Sequence, residues 1–150
     1  MSAEFPHPFR VTATWDTNAK KGQVATETST LTCPHAGDES LGGIGGAPNP
    51  EELLAAAVST CFVQTWSIFL GKLKVPIGEP SVRASCFVDK DPAGGFHVTR
   101  IEVAPYVPAA LFAERKADVE KTLQLAEKYC IISKAVKADG SVLHVAPEVS

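Results

Sequence analysis

Two of the four cysteines, Cys61 and Cys130, lie in contexts that a purely structural cysteine would not need. Cys61 lies inside the apolar stretch 53–66, and Cys130 follows a long amphipathic segment. The reactive form of cysteine is the thiolate, which is a nucleophile. A free thiol with a pKa of about 8.5 is only a few per cent ionised near neutrality, so a reactive Cys61 requires a group that stabilises its thiolate.

The helix that carries Cys61 is not expected to supply that stabilisation. Asn49 is a good N-cap, Pro50 suits the first helical position, and the two glutamates that follow favour the positive end of a helix dipole. Cys61 then stands about three turns into the helix, whereas the dipole acts mainly within the first turn. We therefore expect a cation from elsewhere, since one partly buried Arg or Lys could supply the roughly 1.4 kcal/mol that each unit of pKa depression requires.

The remaining pattern predicts an α+β protein in the order ββ-α-ββ-α-β. Residues 1–150 are most economically one domain, because a chain of 150 residues can bury a real core. The predicted elements are a hairpin of strands 9–15 and 23–31, a glycine-rich loop over 32–48, a helix from 50 to about 70, strands 81–90 and 95–106, a second helix over 109–129, a possible short turn over 131–136 and a last strand over 141–145.

Composition excludes several classes of function. The net charge of -3 gives no electrostatic footprint for nucleic acid. No basic region followed by an apolar run opens the sequence, so we expect a cytoplasmic protein whose thiols stay reduced and whose disulfides are more often transient than structural. Residues 53–70 reach the lower length limit of a membrane span, but hydroxyl and amide side chains interrupt them and favour a buried core helix over a membrane helix.

Metal and nucleotide sites are also not expected. Cys33 and His35 could ligate zinc, but only the scattered Cys86, His97 and His144 could complete a four-ligand site. The glycine-rich run 37–47 lacks the Gly-Lys-Ser or Gly-Lys-Thr ending of a phosphate-binding loop. The sequence therefore predicts neither a metal nor a nucleotide cofactor.

Two segments resemble a known family. Asn49-Pro50-Glu51-Glu52-Leu53-Leu54-Ala55-Ala56-Ala57 leads to Ser59-Thr60-Cys61-Phe62, and downstream stands Ala126-Glu127-Lys128-Tyr129-Cys130-Ile131-Ile132-Ser133-Lys134-Ala135. These segments, and the order of elements over nearly the whole chain, resemble the osmotically inducible protein C and organic hydroperoxide resistance (OsmC/Ohr) family.

The resemblance implies a fold, a chemistry and partners. The fold would be α+β, with antiparallel sheets packed on a central buried helix in an intertwined homodimer. The activity would be that of a thiol-dependent peroxidase acting on organic hydroperoxides, with Cys61 forming a sulfenic acid and Cys130 resolving it as a Cys61–Cys130 disulfide. No cofactor would be needed, and a dithiol or a lipoylated protein would be the reductant.

The sequence departs from the family pattern at the expected activating residue. An arginine in the first hairpin would pair with the thiolate and with the helix-start glutamate, which Glu51 matches, yet here the hairpin carries Lys20 and Lys21. Lysine is a point charge without the bidentate fork of arginine. Glu51 lies about 15 Å from Cys61 along a straight helix, so a long basic side chain would have to bridge them. The other candidate cations are Arg10, Arg83 and Arg100.

Two alternatives to the peroxidase are open. A noncatalytic protein of the same fold could bind a small apolar ligand, and the missing arginine favours this reading. A thiol-dependent hydrolase or acyl transferase would need a histidine within hydrogen-bonding reach of Cys61, and none of the four histidines is an evident partner.

Overall fold

The computed structural model describes residues 4–138 and 142–150, and it divides the chain into two compact units, Met1–Leu53 and Leu54–Ser150. The first unit holds a small sheet and the start of the long helix α1. The second unit holds the rest of α1, a larger sheet and two further helices. The expectation of a single domain over 1–150 stays a prediction.

The first unit is built on a three-stranded antiparallel sheet. Its strands are β1 (Val11–Asp16), β2 (Lys21–Thr26) and β3 (Thr32–Ala36), in the order β1-β2-β3. The predicted hairpin is confirmed, and its turn is held by the Asp16 carboxylate, which accepts hydrogen bonds from the backbone N–H groups of Asn18 and Ala19 at 2.9 Å. A short 3-10 helix, Glu39–Leu41, follows the sheet.

Strand β3 corrects the prediction of an uninterrupted loop over 32–48. The loop was predicted from the glycine-rich run, but the five residues before that run form a strand although Pro34, one of them, cannot donate a ladder hydrogen bond. In the structure Pro34 pairs with Gln23 of β2, and β3 lies at the edge of the sheet. An edge strand tolerates proline because one side of its backbone has no strand to pair with.

Helix α1 (Pro50–Lys72) begins where the sequence predicted. The Asn49 side chain accepts a hydrogen bond from Glu52 N–H at 2.8 Å, and the Glu52 carboxylate accepts one from Asn49 N–H at 3.0 Å. This reciprocal pair is a capping box, which satisfies backbone donors that the first turn leaves unpaired. The predicted cap is confirmed.

The second unit combines a mixed sheet with three helical segments. Strands β4 (Val82–Lys90) and β5 (Phe96–Val107) are antiparallel, whereas β6 (Val142–Val145) and β7 (Glu148–Val149) pair with β5 in parallel. Helices α2 (Ala109–Tyr129) and α3 (Ile131–Ala138) connect β5 to β6. The α+β class is confirmed, but this sheet is not antiparallel throughout, because a helical crossover returns the chain in the direction of β5. Residue 141 of the predicted last strand lies outside the described residues.

The core of the second unit fixes one face of α1 against α2 and the sheet. Val58, Phe62, Trp66 and Leu70 recur every four residues on α1 and are buried in one cluster with residues of β5 and α2. Trp66 Nε1 donates a buried hydrogen bond of 2.9 Å to the Thr122 hydroxyl of α2. This packing fixes the rotation of α1 and thereby the direction in which Cys61 points.

Candidate active site

The structure brings the Cys61 and Cys130 thiols into contact. Cys61 lies in the middle of α1 and is partly exposed, whereas Cys130 lies between α2 and α3 and is fully buried. Both are free thiols, and the Cys130 thiol hydrogen-bonds the Cys61 sulfur. Two cysteines far apart in the sequence therefore form one site.

Cys130 occupies the junction at which one helix ends and the next begins. Its backbone is extended, with φ -64° and ψ 113°, so α2 ends there. Its carbonyl oxygen accepts a hydrogen bond from Lys134 N–H at 3.1 Å, which makes Cys130 the N-cap of α3. The first backbone N–H groups of α3 have no partner within the helix and are available to an anion.

Those N–H groups are directed at Cys61. Burial raises the pKa of the Cys61 thiol, but hydrogen bonds from several groups oppose this effect and leave the pKa below its ordinary value. The donors are the Ile132 N–H, the Cys130 thiol, the Ile131 N–H and the Thr65 hydroxyl. Hydrogen bonds to the charged form of a group favour that form, so the start of α3 stabilises the Cys61 thiolate.

The pKa of Cys130 is shifted in the opposite direction. Burial raises it, the Ser133 hydroxyl and N–H partly offset burial, and the neighbouring Cys61 raises it further. When the pair loses one proton, these opposite shifts place the negative charge on Cys61 and keep the proton on Cys130, since the second charge in a coupled pair is the harder one to form. Cys61 is therefore the more acidic thiol of the pair, and the Cys130 thiol donates a hydrogen bond to it.

Cys61 opens into a cavity of about 530 Å³ in the second unit. The cavity wall is mostly apolar, and Phe69 and Tyr129 pack their rings with centroids 5.6 Å apart. Lys72 Nζ lies 5.4 Å from the Phe69 ring centroid at the same wall. The other lining residues are Thr65, Ile68, Leu125 and Ile131. A small organic molecule would fit against the sulfur in this cavity.

The remaining predicted site residues belong to the first unit. Lys20 lies in the β1–β2 turn with a positive φ of 52°, and Lys21 is the first residue of β2. Lys21 lines a cavity of about 540 Å³ in that unit, together with Trp15 and His35. Glu51 lies in the first turn of α1. Their roles at Cys61 stay predictions.

The arginines of the second unit that were candidate cations are engaged with carboxylates. Arg83 forms a 3.5 Å ion pair with Glu148, and Arg100 forms one of 2.8 Å with Glu102. Neither contributes to the pKa shift of Cys61. A cation was expected to stabilise the Cys61 thiolate, but within this unit the groups that lower the pKa of Cys61 are neutral hydrogen-bond donors.

Sequence reasoning missed three of the donors to Cys61. The Ile131 and Ile132 donors are backbone N–H groups, which have no sequence signature of their own. Thr65 follows Cys61 by one helical turn. Its hydroxyl proton is donated to the Cys61 carbonyl oxygen at 2.8 Å, so the hydroxyl can serve the thiolate only by leaving that acceptor. That i, i+4 spacing was a readable signal, because it places the hydroxyl on the same helix face as the thiol.

Several other features bear on the alternatives. Within residues 4–138 and 142–150, no group of three or more His, Cys, Asp or Glu side chains could hold a metal ion. A hydrolase would require a histidine beside Cys61. In that same part of the chain, no histidine is among the groups that shift the pKa of Cys61. Helix α1 is long and apolar enough to cross a membrane by length and composition, and 28% of an apolar 18-residue stretch of it is buried within the chain.

Fold and site together define a class of protein, an α+β protein in which a thiol on a long apolar helix meets a second, buried thiol at the start of a short helix. The chain belongs to the OsmC family, because the sequence model of that family, described as OsmC-like protein, matches residues 42–144. The resemblance inferred from the two cysteine segments is confirmed.

Relatives with established names support this membership. The chain is 33% identical over 95 residues to organic hydroperoxide resistance protein-like 1 of Staphylococcus epidermidis. The match covers 63% of this chain and 66% of the staphylococcal protein, which is just under two thirds of that protein's length. It is 29% identical over 126 residues to the organic hydroperoxide resistance protein of Xanthomonas axonopodis pv. citri, covering 82% and 84% of the two chains.

Solved structures share the fold over almost the whole length. The organic hydroperoxide resistance protein of Elizabethkingia anophelis is 25% identical with a TM-score of 0.73, covering 99% of both chains. An OsmC-like protein of Mycoplasma pneumoniae is 9% identical with a TM-score of 0.78, covering 97% of this chain and 99% of that one. Because the identity to the Mycoplasma pneumoniae protein is only 9%, that likeness shows the fold alone.

Proposed function

We propose that this protein is a cysteine-based peroxidase that reduces organic hydroperoxides through a Cys61 sulfenic acid and a Cys61–Cys130 disulfide. The observation that carries the proposal is the pairing of the two thiols. Cys61 has a lowered pKa and opens into a cavity, while Cys130 is buried and hydrogen-bonded to it. The names of the staphylococcal and Xanthomonas relatives support the same chemistry.

The cycle begins when the Cys61 thiolate attacks the distal oxygen of the hydroperoxide. The O–O bond breaks, the departing alkoxide takes up a proton and leaves as an alcohol, and Cys61 becomes a sulfenic acid. The Cys130 sulfur then attacks the Cys61 sulfur, water leaves and the disulfide forms. An external dithiol, free or on a lipoylated protein, returns two electrons and two protons by thiol–disulfide exchange.

The cavity supports an organic rather than a small inorganic peroxide as the substrate. Its wall next to Cys61 is formed mainly by Ile68, Phe69, Leu125 and Tyr129. Apolar side chains gain by excluding water when a hydrocarbon tail packs against them, a gain that hydrogen peroxide cannot provide. The Cys61 sulfur would then meet the peroxide group at the polar part of the cavity, near the Thr65 hydroxyl.

Lys21, Lys20 and Glu51 are proposed to assist this site as the family resemblance implies. A lysine ammonium would stabilise the thiolate and the departing alkoxide as a point charge, without the geometric constraint that an arginine imposes. Glu51 would hold that ammonium in place. Lys21 is the stronger candidate of the two lysines, because it lines a cavity of its unit whereas Lys20 lies in the turn.

An intertwined cytoplasmic homodimer is the proposed assembly. Helix α1 is apolar nearly all round, yet only one face of it is buried within the chain. Ile68 on α1 is 56% exposed, and Ile131 at the start of α3 is 72% exposed. All six residues of β1 are exposed as well. A second copy of the chain would cover such apolar surface.

A noncatalytic protein that binds a small apolar ligand is the second candidate. The lysines in place of the expected arginine favour it, and so does the apolar wall of the cavity. In that case neither thiol would affect affinity for the ligand. In the peroxidase, loss of Cys61 would abolish the chemistry.

The deciding experiment is a free-thiol count and intact mass after one equivalent of cumene hydroperoxide is added to reduced protein. We expect rapid loss of two thiols, mapped to a Cys61–Cys130 disulfide, and no rapid loss in Cys61→Ser. Cys33→Ser is the matched control, because it removes a thiol of the first unit and should react at the wild-type rate. Slow, unselective oxidation of the wild type would support the binding protein instead.

A further inference from the structure

Ser133 is a buried polar residue whose hydroxyl has no evident structural use. It lies in the first turn of α3, three residues after Cys130, and is 0% exposed. Thr122, which is equally buried, donates to the Val119 carbonyl at 2.7 Å and accepts from Trp66. Within the described part of the chain, by contrast, the Ser133 hydroxyl has no well-formed hydrogen bond. An orphaned buried hydroxyl is destabilising, so it calls for an explanation.

Ser133 is the third residue of α3, whose N-cap is Cys130, and this position places it within reach of the Cys130 sulfur. The Ser133 hydroxyl and N–H both favour the Cys130 thiolate and partly offset the rise in the pKa of Cys130 that burial causes. A protonated thiol is a weak acceptor, whereas a thiolate is a strong one. Ser133 therefore gains a strong acceptor only when Cys130 is a thiolate, and not while Cys130 is a protonated thiol or part of a disulfide.

In the proposed peroxidase cycle, reduction of the Cys61–Cys130 disulfide would leave a negative charge on the Cys130 sulfur. Cys61 opens into the cavity and Cys130 is fully buried, so an incoming dithiol can reach only the Cys61 sulfur. Attack there forms a sulfur–sulfur bond between the reductant and Cys61 and expels Cys130 as a thiolate. The second thiol of the reductant then displaces Cys61, and Cys130 takes up a proton released by the dithiol. Exchange is faster when the leaving thiolate is better stabilised.

We propose that Ser133 is a further catalytic residue, whose hydroxyl turns to the Cys130 sulfur as the disulfide opens and holds the departing thiolate. The inference rests on the proposed Cys61–Cys130 disulfide. The same hydrogen bond would assist Cys130 when it attacks the Cys61 sulfenic acid. It would not act on the first step, in which Cys61 meets the peroxide.

The test compares Ser133→Ala with Ser133→Thr, which keeps a hydroxyl. The full-length variants are oxidised with one equivalent of cumene hydroperoxide, and the purified disulfide forms are then reduced with dithiothreitol while free thiols are followed. We expect Ser133→Ala to consume the peroxide at the wild-type rate and to be reduced about fivefold to tenfold more slowly. Ser133→Thr should restore most of the reduction rate.

A purely structural role for the Ser133 hydroxyl predicts that the Ser133→Ala protein is less stable than the wild type and that its disulfide is reduced at the wild-type rate. Ser133→Ala removes an unpaired buried hydroxyl, so we expect its melting temperature to equal or exceed that of the wild type. Reduction of the Ser133→Ala disulfide at the wild-type rate would overturn the inference and leave the proposed function standing. A wild-type protein that forms no Cys61–Cys130 disulfide would overturn both.

Discussion

The substitution Ile131→Pro removes one thiolate donor and should leave the helix that carries it intact. Ile131 is the first residue of α3, a position at which proline is favoured because the N–H there has no partner within the helix. The preceding residue, Cys130, is extended at φ -64° and ψ 113°, a conformation that is allowed before proline. The Ile131 side chain is 72% exposed, so little buried surface is lost.

The size of the expected pKa change follows from the energy of the one hydrogen bond that is lost. A hydrogen bond to a charged group contributes about 1.5–3 kcal/mol, and one pKa unit corresponds to about 1.4 kcal/mol. Because Cys61 is partly exposed, water can replace part of the lost bond, and we expect a rise of about one unit in the pKa of Cys61. The Ile132 N–H, the Cys130 thiol and the Thr65 hydroxyl remain as donors.

The pH dependence of the peroxide reaction measures this rise. At pH values below the pKa of Cys61 in both the wild type and Ile131→Pro, the substitution should lower the thiolate fraction about tenfold. Because a more basic thiolate is about threefold more nucleophilic, the rate of the peroxide reaction should fall only about threefold. Above both pKa values the rate should instead rise about threefold. The midpoint of Cys61 alkylation by iodoacetamide, followed by peptide mass spectrometry, should move upward by the same unit.

Ile131→Ala is the matched control, because it keeps the N–H and removes the side chain that lines the cavity. Its alkylation midpoint should stay at the wild-type value. An unchanged midpoint in Ile131→Pro, with the helical circular dichroism preserved, would refute the reasoning that the start of α3 activates Cys61.

Substitutions at Thr65 and at the two lysines of the first hairpin test the remaining assignments. Thr65→Val should raise the pKa of Cys61 by about half a unit to one unit, because the hydroxyl exchanges a bond to the Cys61 carbonyl for one to the thiolate; Thr65→Ser should restore the wild-type alkylation midpoint. Lys21→Met should lower kcat/KM for cumene hydroperoxide by about tenfold if its ammonium acts on the thiolate, whereas Lys20→Met should change it less than twofold. Equal effects of the two lysine substitutions would contradict the assignment of Lys21.

Local signals in the sequence account for most of the fold. The Asn49–Glu52 capping box fixes the start of α1, and α2 occupies the predicted residues 109–129. Both depend on neighbours within one or two turns, so they can be read without a tertiary structure. Strand β3 could not, because Pro34 is acceptable there only by virtue of its edge position, which depends on how the sheet assembles.

The candidate site also has parts that the sequence shows and parts that it does not show. The motifs around Cys61 and Cys130 identified both thiols, because each lies in a characteristic stretch of sequence. The groups that lower the pKa of Cys61 could not be identified in this way. Two are backbone N–H groups of α3, and every residue except proline carries such a group.

The sequence by itself therefore determined the two candidate cysteines, the start of α1, the extent of α2 and the family, all of which depend on side-chain type and short-range spacing. The tertiary structure decided the environment of the thiols. The buried Trp66–Thr122 bond and the core around α1 orient the helix so that Cys61 meets the start of α3. The thiolate is stabilised by donors that packing brings from a distant segment, and such long-range placement has no counterpart in the local sequence pattern.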